Sequence, residues 1–234
     1  MRLGMGLGLG NLLSGQPLTG FPNDFSFNFD GSNDYLDTGN SFSSIFTESF
    51  SISAWIKPND GQPSGAEGIL GTITNTGWTG YIEFKVTTAG KLSFFIGTPT
   101  AKELEAESTV VFSNGTVDWS HVAVVFSKSS ATAGTITLYF NGASVGSGSS
   151  PDTGWNLDNY VNNYALFIGA TNQADTATQL YNGNIDEVAL WDTALSADDV
   201  AKIASKPVDF SKASTYATDR TSNLKLWLRA GDKV

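Results

Sequence analysis

Two adjacent carboxylates, Asp186 and Glu187, sit inside an otherwise apolar run, GNIDEVALWD at 183–192. Paired acids are the usual equipment for breaking a glycosidic bond, one as nucleophile or base and the other as acid. The run reads as a strand, however, and strand neighbours point to opposite faces while residues i, i+2 and i+4 share one. Asp186 and Glu187 therefore cannot flank a single bond. Their expected work is framework: accepting backbone N–H groups that burial would otherwise leave unpaired. The loop DGSND at 30–34 is the expected partner.

The same acids offer a second chemistry. Asp30, Asn33, Asp34 and Asp186 form an oxygen-rich set of the kind calcium takes. Their spacing is not that of an EF-hand loop, and acidic turn residues also close Asx turns by themselves, so no cofactor is required. His121 is the single histidine, alternating with Trp119 and Ala123, so a catalytic triad or a histidine metal site would rest on it alone. A packed structural role is expected there. No P-loop is present, and the G-x-G spacings of GMGLGLG lack the strand and helix that a dinucleotide site needs.

Aromatic residues suggest sugar chemistry instead. Trp78 and Tyr81 in TGWTGY, and Trp155, Tyr160 and Tyr164 in GWNLDNYVNNY, fall in or beside loops. There an aromatic ring can stack on a pyranose while Asn or Asp bonds its hydroxyls; alternatively these rings close the ends of the fold with their polar tips in water.

The elements that position these residues are strands. Phe25, Phe27 and Phe29 alternate with Ser26, Asn28 and Asp30, and Phe50, Ile52, Ala54 and Ile56 alternate with Ser51, Ser53, Trp55 and Lys57. Further strands are expected at about 68–74, 80–87, 91–97, 108–113, 119–127, 134–140, 164–170, 179–191 and 224–229. That number requires two packed sheets. The stretches AKELEAES at 101–108 and GSGSSPDTGWNLDNYVNN at 146–163 read as loops. One short helix is expected at SADDVAKIA, capped by Ser196, with Asp198 and Asp199 at the positive end of its dipole.

Composition narrows the partners. The 234 residues carry 23 acidic and 13 basic side chains, a formal charge of −10, which repels phosphate backbones and anionic lipid; neither nucleic acid nor membrane is expected as a partner. There is no cysteine, hence no disulfide framework or thiol chemistry. At the amino end Leu3, Met5, Leu7 and Leu9 alternate with glycines; with no A-x-A site following, 1–22 reads as an extended assembly arm of the mature protein. Three segments follow: the arm at 1–22, a strand-rich body at 23–204, and an extension at 205–234 that returns with a final strand.

Five phrases in order, FDGSNDYL at 29–36, SISAWIKP at 51–58, WSHVAVVF at 119–126, LYFNG at 138–142 and GNIDEVALW at 183–191, followed by LSADDV, resemble the laminin G-like jelly rolls of the concanavalin A-like lectin and glucanase superfamily. The resemblance implies an all-β fold of two curved antiparallel sheets, a concanavalin A-like jelly-roll sandwich whose concave face and rim often bind sugars, with calcium in some members. Members that are glucanases carry Glu, then Asp two residues on, then a second Glu. The corresponding positions here are Asn184, Asp186 and Val188 or Ala189, so nucleophile and acid are both missing and no enzyme is expected. The tail LKLWLRAGD at 224–232 is similar to a W-x-R-x-G-D phrase that accompanies such jelly rolls in structural proteins of tailed bacteriophages.

Two functions follow as expectations. The first is a virion structural protein, foremost a capsid decoration or cement protein, made in the host cytoplasm and placed on the virion surface, with other virion proteins or copies of itself as partners. The alternative is an extracellular lectin-like adhesion module that binds cell-surface glycans.

Overall fold

A computed structural model describes residues 25–74, 80–98, 103–115, 117–149, 151–205 and 209–231. Alternation of apolar and polar side chains lays these residues into two antiparallel sheets packed face to face, as an all-β jelly-roll sandwich.

The back sheet contains β1 (Phe27–Asp30), β3 (Phe50–Pro58), β8 (Ser120–Ser130), β9 (Ala133–Phe140), β10 (Ala143–Gly148), β14 (Asn182–Trp191) and β15 (Leu224–Leu228). Its order is β1-β14-β3-β8-β9-β10, with β15 continuing beside β14. The front sheet contains β2 (Leu36–Asp37), β4 (Glu67–Ile73), β5 (Ile82–Val86), β6 (Lys91–Gly97), β7 (Glu103–Val110), β11 (Phe167–Ile168), β12 (Thr171–Gln173) and β13 (Thr176–Thr178). Its main path is β13-β12-β4-β5-β6-β7. Between the sheets lies one apolar core, in which Phe50, Ile52, Val124, Phe126 and Leu138 meet Phe84, Val86, Phe94 and Ile96. Each large side chain sealed there contributes about 1.5–3 kcal/mol.

Two stretches expected to be loops are strands. The glutamates and alanines of AKELEAES favour a helix locally, yet Leu104 and Ala106 drop into the core while Glu105 and Glu107 face outward, and the neighbouring β6 enforces that alternation. GSG at 146–148 belongs to β10: a Cβ on Gly146 would lie 2.5 Å from the Glu107 carbonyl oxygen, and one on Gly148 would lie 1.7 Å from that of Glu105. Those glycines let the edges of the two sheets meet, a role unrelated to loop flexibility.

Helix α2 (Ala197–Ala204) begins where expected, with a reciprocal cap: Ser196 Oγ accepts the Asp199 N–H at 3.1 Å and Asp199 Oδ2 accepts the Ser196 N–H at 3.2 Å. A further helical turn, α1 (Ser43–Phe46), buries Phe46; its four residues are too few to carry a periodic signal in the sequence. Among the described residues no helix is long and apolar enough to cross a membrane.

Candidate functional site

The opening carboxylates are structural, by a geometry the strand rule does not give. Glu187 has φ of 51° and sits in a bulge where β14 slips against β3 between Asp186 and Ala189. A non-glycine residue held there costs about 1–3 kcal/mol. The bulge turns both acids toward the same carboxyl-terminal segment. Asp186 Oδ1 accepts the Ala230 N–H at 2.8 Å; Glu187 accepts the Trp227 indole N–H at 2.7 Å and pairs with Arg229 Nε at 3.0 Å. Both carboxylates have no exposed surface, so no substrate reaches them. Their partner is thus the segment 227–230 and not the loop 30–34. The W-x-R phrase of the tail and the Asp-Glu pair are the two halves of one fastening.

The proposed calcium set is not brought together. Asp30 lies opposite Asn182 in the ladder, four positions along β14 from Asp186, a separation of about 13 Å at strand rise. Asp30 Oδ1 accepts the Ser32 N–H at 2.8 Å and Asp34 Oδ2 accepts the Asp30 N–H at 3.2 Å, so these acids close their own turn, and Asn33 is exposed beside them. No group of three metal-ligating acids, histidines or cysteines occurs among the described residues.

The aromatic candidates have mostly gone inside. Trp155 is 1% exposed and donates its indole N–H to the Ile96 carbonyl at 3.2 Å; Tyr160 is buried against Phe46. Neither presents a face to a sugar. Tyr81 is buried against Gly97, where a Cβ would come within 2.2 Å of its ring, and its hydroxyl donates to Glu103. Trp78 and the arm residues Leu3, Met5, Leu7 and Leu9 lie outside the described residues. His121 is wholly buried, packed edge-on to Trp55 at 5.6 Å between ring centres, and burial pushes its pKa down to about 3. Among the described residues neither of its ring nitrogens has a hydrogen-bond partner.

The outward faces of the two sheets differ sharply. On the back sheet, Ala123, Val125, Tyr139, Ala189 and Trp191 are sealed beneath α2 and the extension, forming a second apolar cluster with Val200, Ile203, Phe210 and Tyr216. Asp199 binds that cover down, accepting N–H groups of Ala217 at 2.7 Å and Thr218 at 3.0 Å and pairing with Arg220 Nε at 3.2 Å.

On the front sheet the outward face is polar. One row across adjacent strands runs Thr171, Gly71, Glu83, Phe95, Glu105, and the next runs Gly68, Lys85, Ser93, Glu107. Glu83 forms the floor, accepting from Thr171 Oγ1 at 3.1 Å and from Gln179, and pairing with Lys85. The Lys85 ammonium stands 4.7 Å above the ring of half-buried Phe95. Glu105 is exposed on the adjoining strand, and Lys91 pairs with Glu107 at 2.5 Å. Glu103, bonded to Tyr81, has its pKa raised by burial and by the charges of Glu105 and Asp152. An aromatic edge flanked by acceptors and an ammonium is suited to a hydroxyl-rich ligand. No motif marks these residues in the sequence; their one local signal is the alternation of glutamates in ELEAE.

A laminin G family model, described as the concanavalin A-like lectin/glucanases superfamily, matches residues 30–201, and the chain belongs to that superfamily. No curated protein matches the chain. Among solved structures, the CBM40 module of the Ruminococcus gnavus IT-sialidase superposes with a TM-score of 0.60 at 13% identity, covering 76% of this chain and 95% of the module. That module has also been solved bound to α2,3-sialyllactose and to α2,6-sialyllactose. The NanB sialidase of Streptococcus pneumoniae gives 0.57 at 21%, over 75% of this chain and 27% of the enzyme. A leech intramolecular trans-sialidase gives 0.60 at 10%, over 77% and 26%. These likenesses are of fold, and this chain spans about a quarter of the two sialidases. None of these structures is a virion protein.

Proposed function

We propose that the chain is a non-enzymatic carbohydrate-binding module that holds glycans on the outward face of its front sheet, around Lys85, Phe95, Glu103 and Glu105. The carrying observation is the contrast between the faces: the back sheet is sealed by apolar cover, while the front sheet keeps an aromatic edge and outward carboxylates. Carboxylates accept charge-assisted bonds from sugar hydroxyls, and Phe95 offers apolar surface to ring C–H groups. Binding without hydrolysis fits the acids at 186 and 187, which are committed to the fold. The fold shared with CBM40 modules supports a glycan as the ligand class.

A capsid decoration role draws no support from the matched structures. The arm it depends on lies outside the described residues, and Trp227 and Arg229 of its tail phrase are accounted for by the fastening to Glu187.

The test is a titration of the full chain, and of Phe95→Ala, against a panel of oligosaccharides. The wild type is expected to bind at least one, and the variant to bind it about 10- to 100-fold more weakly with an unchanged melting temperature. Binding unaffected by Phe95→Ala would place the site elsewhere, and silence across the panel would remove the carbohydrate reading.

A further inference from the structure

The Ruminococcus gnavus CBM40 module has been solved with sialylated sugars bound, yet the electrostatics of this front sheet point the other way. Resting on the binding face proposed above, we infer that it selects uncharged glycans and rejects those ending in a sialic acid carboxylate.

Charge on the face is the first argument. Its carboxylates are Glu83, buried at the floor, and the outward Glu103, Glu105 and Glu107, against the ammonium groups of Lys85 and Lys91. Each lysine is already committed, Lys85 to Glu83 and the Phe95 ring, Lys91 to Glu107. Glu103 and Glu105 therefore stand uncompensated by those lysines, with Asp152 bonded to the Glu103 backbone beside them. Burial first, and then the charges of Glu105 and Asp152, raise the pKa of Glu103.

Hydrogen-bond polarity is the second. A carboxylate ligand needs donors, above all the fork of an arginine. The arginines among the described residues, Arg220 and Arg229, are spent on the side of the opposite sheet, on Asp199 at 3.2 Å and Glu187 at 3.0 Å. What faces outward around Phe95 is mostly acceptors, which match hydroxyl donors and repel a second acid. The chain's charge of −10 extends that repulsion beyond contact range.

The experiment uses the full-length protein and matched pairs of immobilised oligosaccharides, identical except for a terminal sialic acid, drawn from those the panel shows to bind. The uncharged member is expected to bind about tenfold more tightly at low salt. The ratio should shrink toward unity near 1 M salt, where the screening length is about 3 Å. Glu105→Lys should shift the preference toward the sialylated member. Equal or tighter binding of the sialylated member by the wild type overturns the charge selection while leaving carbohydrate binding intact. A preference indifferent to both salt and Glu105→Lys overturns it too, because a steric origin would then be required. Failure of every pair to bind removes the carbohydrate reading and this inference together.

Discussion

The outward faces of the two sheets start from the same alternation and end with opposite characters. On the back sheet Trp191, Ala189, Val125 and Tyr139 point away from the main core and would be left wet, so α2 and the extension cover them. On the front sheet the equivalent positions carry polar side chains: Glu83 and Ser93 are buried, with Glu83 paired to Lys85, while Glu105 and Glu107 are exposed and need no cover. A sheet with two apolar faces must be buried on both; one with a polar outer face has a surface to spare for binding.

The sharpest way to break this comparison is to remove bulk from each face. Trp191→Ala should cost about 3–5 kcal/mol in chemical denaturation, because its ring is fully buried against Phe210 and Tyr216. Glu105→Ala should stay within about 0.5 kcal/mol of the parent. Equal effects would show that the front face is a packing surface too.

Acidity separates the sheets next. His121, neutral beneath the back cover with pKa about 3 against 6.5 unfolded, contributes stability that is present above pH 6.5 and lost as pH falls toward 3. That loss amounts to about 2–3 kcal/mol by pH 4.5, and His121→Phe should abolish it. Glu67, at the start of β4, behaves oppositely. Burial first, and the Asp60 charge, raise it to about 7 from 4.5, against the pull of the Asn182 N–H. Its contribution is full below pH 4.5 and lost as pH rises through 7, by up to about 3 kcal/mol. Glu67→Gln should flatten that upper limb in melting curves between pH 5 and 8. A wild-type curve in which each variant leaves its own limb unchanged would contradict both assignments.

The smallest effect concerns how the back cover is hung. Ser196→Ala removes one half of the α2 cap and should cost about 1 kcal/mol, read as a lowered denaturant midpoint. Glycan binding at the front face should not change, and if it did the faces would be coupled.

Much of the fold was legible because alternation is local. The apolar faces of β3, β8 and β14 and the Ser196 cap can be read from a few neighbouring residues. β7 and β10 were not legible: glutamate-rich and glycine-rich segments become strands only once a partner edge supplies hydrogen bonds and demands close approach. The burial of two aromatic candidates is not legible for a related reason. Trp155 and Tyr160 sit among polar loop residues in sequence, and only packing reveals that Ile96 and Phe46 draw them inside.

By itself the sequence determined the sandwich, its superfamily and the lack of the glucanase Glu pair, all carried by residue types at short spacing. The tertiary structure decided what Asp186 and Glu187 hold, since their partners lie about 40 residues away across a bulge. It also decided which outward face stays polar, because that depends on where the extension comes to rest. Long-range pairing fixes both, and no local pattern encodes it.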